Sequence, residues 1–285
     1  MASIKHAFIV VLLAGMPLLC GCGSPPDASP DAGRIGAGST HLRNIAGDVT
    51  GGGAPLFVFV PAAACPSHYD VKPGDLREMS RCSVLLIHPW QTAMANMKRA
   101  VAAAGVGDTI PVAVEGNWMV PENQARALEE TARLLGQLHP EKTAEYAARA
   151  RVRAEAVRRH GAEARQKMEA AGVAGAPVLA EMMQAEFLEW AGLRVVEKFG
   201  RPEGLSAADM TRLMDGGRAA GVKLVADNLQ SGDTGAGEAL AGDLGVPHVV
   251  LSNFPGGFEG TESWEDNLDN NLRLLLRALG KEPAQ

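Results

Sequence analysis

The sequence predicts an α/β protein with two doubly wound βα lobes joined by one long helix, and a ligand cleft between the lobes. Three observations predict it. Short runs that are apolar on both faces, the mark of buried parallel strands, alternate with helical patterns up to about residue 139. The stretch Glu141 to Ala171 then holds no proline and no strand signal, and is dense in Ala, Arg and Glu. A second α/β series follows it. Connections that alternate in this way build parallel sheets with helices on their faces, and ligands bind outside the carboxyl ends of the strands.

The chain has 285 residues and opens with a basic pair, Lys5 and His6, followed by the apolar run Ala7 to Leu19. That run spans only about 20 Å as a helix, against a bilayer core of about 30 Å, so it reads as a signal peptide and not a membrane span. It ends in Leu19-Cys20-Gly21-Cys22, which matches a bacterial lipoprotein box. Residues 1–21 are then the signal peptide, and Cys22 carries the lipid as the new N-terminus. Residues 22–40, rich in Pro, Gly, Ala and Ser, read as a flexible tether. An ordinary secretory signal with an accidental cysteine is the competing reading.

The first lobe is predicted over residues 41–139. Its strands are Leu56–Val60, Ser83–Ile87 and Pro111–Val114, and its helices lie near Gly74–Ser80, Thr92–Ala104 and Pro121–Leu138, the last with proline in its first turn. Residues 140–171 form the linking helix, about 45 Å long at 1.5 Å per residue, between His139-Pro140 and Gly172. The second lobe, residues 172–285, has strands at Pro177–Ala180, Leu193–Val196, Lys223–Ala226 and His248–Leu251. Its helices lie near Met182–Ala191, Ser206–Ala220, Thr234–Leu244 and Trp264–Leu279.

Composition excludes several classes. Hydrophobic residues make up 46% and charged residues 21%, as in ordinary globular chains. A net charge of −6 with no basic block argues against nucleic acid as a partner. After Cys22 no apolar run is long enough to span a bilayer, so the membrane is met through the N-terminal lipid only. Cys65 and Cys82 are not a disulfide framework. Cys65 follows the carboxyl end of one strand and Cys82 precedes the amino end of the next, at opposite sheet edges, beyond the ~7 Å limit for a bridge. No Walker loop, dinucleotide fingerprint or nucleophile elbow occurs.

What recurs is a polar or soft side chain just past each strand. Cys65, Ser67, His68, Tyr69 and Asp70 follow the first; His88 the second; Glu115, Asn117 and Trp118 the third. Glu181, Met182 and Met183 follow Val178–Ala180, Asp227 follows Leu224–Ala226, and Glu259 and Glu262 follow the last strand. At the strand ends of two facing lobes, imidazoles and carboxylates can surround one ion. Singly, each has a plainer reading. His68 reads as a surface-loop histidine and His88 equally as a cap on a backbone carbonyl. Glu181 and Asp227 fit first-turn carboxylates of the following helices. Met182 and Met183 read as helix core, and Cys82 as a small buried hydrophobe.

Five segments carry a family resemblance. Asn44-Ile-Ala-Gly-Asp48 resembles an I-A-G-D segment, and Cys65-Pro-Ser-His-Tyr-Asp-Val-Lys-Pro-Gly-Asp-Leu76 resembles a D-P-H-x-Y-E-P-x-P-S-D-L loop. Asn117-Trp-Met-Val-Pro-Glu-Asn123 resembles H-x-W-L-S-P-E-N, and Leu138 to Tyr146 resembles the D-P-E-N-A-x-x-Y start of a long helix. Gly260 to Leu272 resembles a closing G-D-S-Y-x-x-M-x-x-N-L helix. Together they resemble the solute-binding proteins of zinc and manganese ABC importers, the TroA-like lipoproteins. The resemblance implies a rigid linking helix, one transported divalent transition-metal ion between the lobes, an ABC permease in the inner membrane as partner, and a monomer in the bacterial cell envelope, facing the periplasm or outer surface. It implies a binding protein and not an enzyme.

The departures fall on the ligands. On this alignment the first histidine becomes Ser67, with His68 one residue later, and the second becomes Gly116. The third position falls at Glu181, and the closing aspartate becomes Glu262. A rebuilt metal site of His68, His88, Glu181 and Glu262, with Asp227 or Cys65, is the expectation. Its alternatives are a chelated metal or small organic ligand in the same cleft, and, from another class, a metal-dependent hydrolase with an open coordination position.

Overall fold

A computed structural model describes residues 33–281. The signal segment, Cys22 and most of the tether lie outside the described residues. The first lobe is a four-stranded sheet of β1 (Ile35–Ala37), β2 (Leu56–Val58), β3 (Val84–Ile87) and β4 (Asp108–Pro111), in the order β2-β1-β3-β4. Every pairing is parallel. Its helices are α1 (Thr40–Thr50), α2 (Pro73–Met79), α3 (Ala95–Ala104) and α4 (Pro121–Leu138). The second lobe repeats the plan with β5 (Pro177–Glu181), β6 (Arg194–Phe199), β7 (Leu224–Asn228) and β8 (His248–Leu251), in the order β6-β5-β7-β8, again all parallel. Its helices are α6 (Ala185–Trp190), α7 (Ala207–Ala220), α8 (Gly235–Leu244) and α9 (Trp264–Ala278). In both sheets the chain reverses direction around the first strand, so each carries a switch point where a crevice opens at the carboxyl edge.

The buried strands explain their own composition. Val84 and Leu86 of β3 face the core shared with α1 and α4, while Leu85 and Ile87 pack outward with Phe59, Met79 and Met97. A strand covered on both faces has no polar side to alternate with. In β5, Val178 and Ala180 face inward and Leu179 packs outward with Phe199, Leu213 and Leu240.

The linking helix α5 (Thr143–Ala170) has 28 residues, or about 42 Å. Its buried side is the narrow stripe Tyr146, Ala150, Ala154, Val157, Gly161, Ala164 and Met168. Small residues there let α4 approach closely. A Cβ at Gly161 would fall on the ring of Pro121, the first residue of α4. The inner core is continuous across the molecule, from Leu42 and Leu128 through Val157 to Phe187, Trp264 and Leu268.

Two sequence expectations are corrected here. Ile35–Ala37 is a strand paired with both β2 and β3, and α1 begins at Thr40, so the folded body starts inside the stretch read as tether. Gly33, Gly36 and Gly38 give this segment a linker's composition, yet Gly36 is small because Cys82 and Leu85 pack against it. β4 covers residues 108–111, earlier than the apolar run 111–114, because an edge strand is defined by its pairing with β3 and not by hydrophobicity. Cys65 and Cys82 are both free thiols, and Cys82 is buried.

Candidate functional site in the inter-lobe cleft

Past β2 the chain turns through Cys65 into a short 3-10 turn, Pro66–His68. Asn96 of α3 holds this turn in place, its Nδ2 donating to Pro66 O (2.8 Å) and Tyr69 O (3.3 Å). Cys65 Sγ lies 3.3 Å from Ser67 Oγ and 3.6 Å from His68 Nδ1. The turn faces the second lobe. Arg201, just past β6, donates from Nη1 to Ser67 Oγ at 2.5 Å. Gly232, at φ +88°, leaves space in front of the thiol; a Cβ there would lie 3.2 Å from Cys65 Cβ.

Glu181 ends β5 and is only 2% exposed. Its Oε2 accepts the Met183 amide at 2.7 Å. Burial pushes this carboxyl up from 4.5 to about 7, and the nearby charge of Asp227 adds to the rise. Hydrogen bonds from Met183 and Ser231, and the charge of Arg201, act in the other direction. Asp227, at the end of β7, is buried and turned into its own lobe, 3.3 Å from His248 Nε2. Gly237 of α8 leaves the room for that carboxylate.

Cys65 and His68 therefore form one rim of the cleft, with Glu181 and Asp227 behind the opposite rim. The other two expected ligands are elsewhere. His88 is buried, its Nε2 2.8 Å from Ser39 Oγ, and its ring stacks on Trp90 and Phe254 and leans on Trp118. Burial, with the neighbouring His41, holds its pKa well below the usual imidazole range. It is a wall of the cleft and not a free donor. Glu262 is exposed, and only its backbone oxygen is engaged, by Asn44 Nδ2 at 2.7 Å. Among the described residues no three His, Cys, Asp or Glu side chains converge to hold a metal ion.

What lines the cleft instead is neutral amide. Asn117, past β4, donates from Nδ2 to Asn253 Oδ1 and to Met183 O, both at 2.8 Å. Gln184 Nε2 donates to the same Asn253 Oδ1 at 3.0 Å, and Asn253 N donates to Gln230 Oε1 at 2.9 Å. His41 of α1 lies 2.7 Å from Gln124 Oε1 and 3.2 Å from Asn253 O. Burial lowers its pKa from 6.5 to about 4, so the ring is neutral. Glu186 of α6 reaches the first lobe, accepting from Asn117 N (2.6 Å) and Asn123 Nδ2 (2.7 Å). It crowds Gly116, the position aligned with the second histidine. That glycine sits at φ +93°, and a Cβ there would lie 2.8 Å from Glu186 Oε2 and 2.5 Å from Asn123 Nδ2. Of this wall only Asn117 stood out in the sequence. Asn253 was reachable by the same strand-end rule, since it follows β8 by two residues; Gln124 and Gln184 lie in or beside helices and carried no signal.

The sequence profile of the family described as zinc-uptake complex component A, periplasmic (ZnuA), matches residues 35–278. No curated protein sequence matches the chain. Among solved structures, the chain is similar to ZnuA, with 18% identity, TM-score 0.72, and coverage of 87% of this chain and 99% of that one. It is also similar to the solute-binding protein FpvC of Pseudomonas aeruginosa in complex with Ni2+, at 19% identity and TM-score 0.70, covering 88% and 98%. A third is the laminin-binding protein Lmb of Streptococcus agalactiae, described as an adhesin with metal-transporting activity, at 15% identity and TM-score 0.69, covering 86% and 99%. At these identities the structures speak for the shared two-lobe fold. The profile match spans nearly all the described chain, and the protein therefore belongs to the zinc-uptake complex component A family, the extracytoplasmic solute-binding components of bacterial metal-ion ABC importers.

Proposed function

We propose that this protein is an envelope lipoprotein, anchored through Cys22, that carries a divalent transition-metal ion of the zinc–manganese class at the mouth of the cleft and delivers it, as a monomer, to an ABC permease in the inner membrane. The observation that carries the site is the Cys65–His68 pair. Sulfur at about 2.3 Å and nitrogen at about 2.05 Å on one tetrahedral ion lie about 3.5 Å apart, and Sγ and Nδ1 are separated by 3.6 Å. The second-lobe carboxylates offered to complete the set are Glu181 and its neighbour Asp227. His88 and Glu262 have no part in this set. Related proteins have been solved with nickel or manganese, FpvC among them, which supports a divalent cargo.

The test is the melting behaviour of chelator-stripped protein with zinc, manganese or nickel added singly. A bound ion should stabilise the fold by about 2.7 kcal/mol at 100 times its dissociation constant. Cys65→Ser combined with His68→Ala should abolish the response, while Glu262→Gln should keep it. Acidification should release the ion, since a protonated imidazole cannot coordinate. The amide wall of Asn117, Gln184 and Asn253 supports a second reading, a chelated metal or small organic ligand. If no free ion moves the midpoint, that reading replaces the first.

A further inference from the structure

Arg201 brings a positive charge to the mouth of the cleft. Its backbone is extended ahead of Pro202, and Gly204 N donates to Arg201 O at 3.0 Å to close the turn Pro202–Gly204. Nη1 donates to Ser67 Oγ, which lies 3.3 Å from Cys65 Sγ, so a single hydroxyl separates the guanidinium from the thiol. Among the described residues this is the one hydrogen bond of Arg201, and it forms no ion pair. Most of its N–H donors are left for another acceptor. A divalent cation taken by Cys65 and His68 is repelled by a guanidinium at this range unless a negative group lies between them. The second-lobe carboxylates are otherwise engaged. Glu181 is 2% exposed and accepts from Met183 and Ser231, and Asp227 is turned to His248.

An ion on one sulfur and one imidazole is also short of a tetrahedral set of donors. A planar carboxylate or carbonate meets both demands. One oxygen edge accepts paired N–H bonds from the guanidinium fork, and a remaining lone pair binds the ion. With carbonate, thiolate and anion offset the divalent ion and the guanidinium charge for charge. Gly232, at φ +88°, carries no side chain in front of Cys65 and leaves room there. We propose that Arg201 and Ser67 hold a carboxylate-class anion, carbonate or a small organic carboxylate, which completes the coordination of the ion on Cys65 and His68. This anion site presupposes the metal site of that pair and makes the cargo an ion together with its anion.

The test measures zinc affinity of the chelator-stripped Cys22→Ala chain by competition with a chromogenic chelator. It is run in degassed chloride buffer, then with bicarbonate or acetate added, at matched free zinc. Affinity should rise roughly tenfold or more over chloride, as expected for paired charge-assisted bonds. The anion that gives the rise distinguishes carbonate from an organic carboxylate. Arg201→Gln should abolish the gain, and Arg201→Lys, which keeps the charge without the fork, should restore part of it. Arg194→Gln, at the opposite end of β6, should keep all of it. Melting midpoints in EDTA check that the variants fold. Equal affinity in the three buffers, or a gain that survives Arg201→Gln, would overturn the proposal. So would an Arg201→Gln chain that binds zinc more tightly in every buffer, since the guanidinium would then act by repulsion alone. Failure of the metal reading shows separately, as no zinc bound in any of the three buffers.

Discussion

His41, His88 and Glu181 are buried titratable groups whose shifts act on stability with opposite signs. Both histidines have lowered pKa values in the folded state, His41 about 4 against 6.5. The unfolded chain therefore takes up protons first as the pH drops. Their contribution is complete above 6.5 and is lost as pH falls below it, for His41 between 6.5 and about 4 and by something on the order of 3 kcal/mol. Glu181 behaves the other way. Its folded pKa of about 7 exceeds the unfolded 4.5, so its burial is tolerated below 4.5 and costs stability as pH rises through 7. Glu181→Gln should match wild type at pH 4.5 and exceed it at pH 7.5 by up to about 3 kcal/mol in chelator-treated urea melts. A variant less stable than wild type at pH 7.5 would mean that the carboxylate is worth more as an acceptor for Met183 and Ser231 than it loses by burial. Residue-scale legibility was uneven. Strand-end position pointed to Cys65, His68, Glu181 and Asp227 as candidate ligands; the first two lie together in one turn past β2, and the other two are buried near the ends of β5 and β7. It could not tell that His88 turns inward to Ser39, because that depends on Trp90, Trp118 and Phe254 closing over the ring. Glu262 matches a motif position, but spacing does not reveal that its side chain is exposed.

Elements were read more reliably than their edges. The long helix was visible because a stretch free of proline and of β-branched runs has few alternatives, and it is found at Thr143–Ala170. β1 was missed because its three residues are packed by tertiary contacts and carry no strand signal of their own. Helix α6 begins at Ala185, not at Met182, since Glu181 accepts the Met183 amide and the chain turns before the helix starts. A sharp test of how α5 packs is Gly161→Ala. In an open helix interior this change stabilises by roughly 1 kcal/mol. Here the new methyl meets Pro121, so thermal melts should show a loss of about 1–3 kcal/mol instead. A raised midpoint would show that α4 can shift away at little cost. On its outer side α5 also braces the lobes: Arg153 forms a bidentate pair with Glu265 of α9 (2.5 and 2.7 Å) and reaches Asp48 of α1 at 2.8 Å.

At the scale of the whole molecule, one inner core runs through both lobes and the linking helix. Two lobes that share a core should not melt separately. Calorimetry of the mature chain should give a single transition with equal calorimetric and van't Hoff enthalpies; two resolved peaks would mean that the lobes fold independently. Location is a second matter at this scale. Among the described residues no helix is long and apolar enough to cross a membrane. The anchor proposed at Cys22 is tested by Cys22→Ala, which should move the protein from the membrane to the soluble envelope fraction; unchanged membrane association would refute it.

The contact between Gly116 and Glu186 also constrains how this protein can evolve. Placing a histidine at 116 while Glu186 remains forces a side chain into an occupied space, at a backbone angle that L-residues avoid. Losing Glu186 first removes the acceptor for Asn117 and Asn123 without yet providing a ligand. Gly116→His is thus expected to be harmful alone, and losing Glu186 as well relieves its crowding but not the backbone strain at 116. Glycine at 116 and glutamate at 186 are therefore coupled through one contact, and related chains should keep or lose the two together.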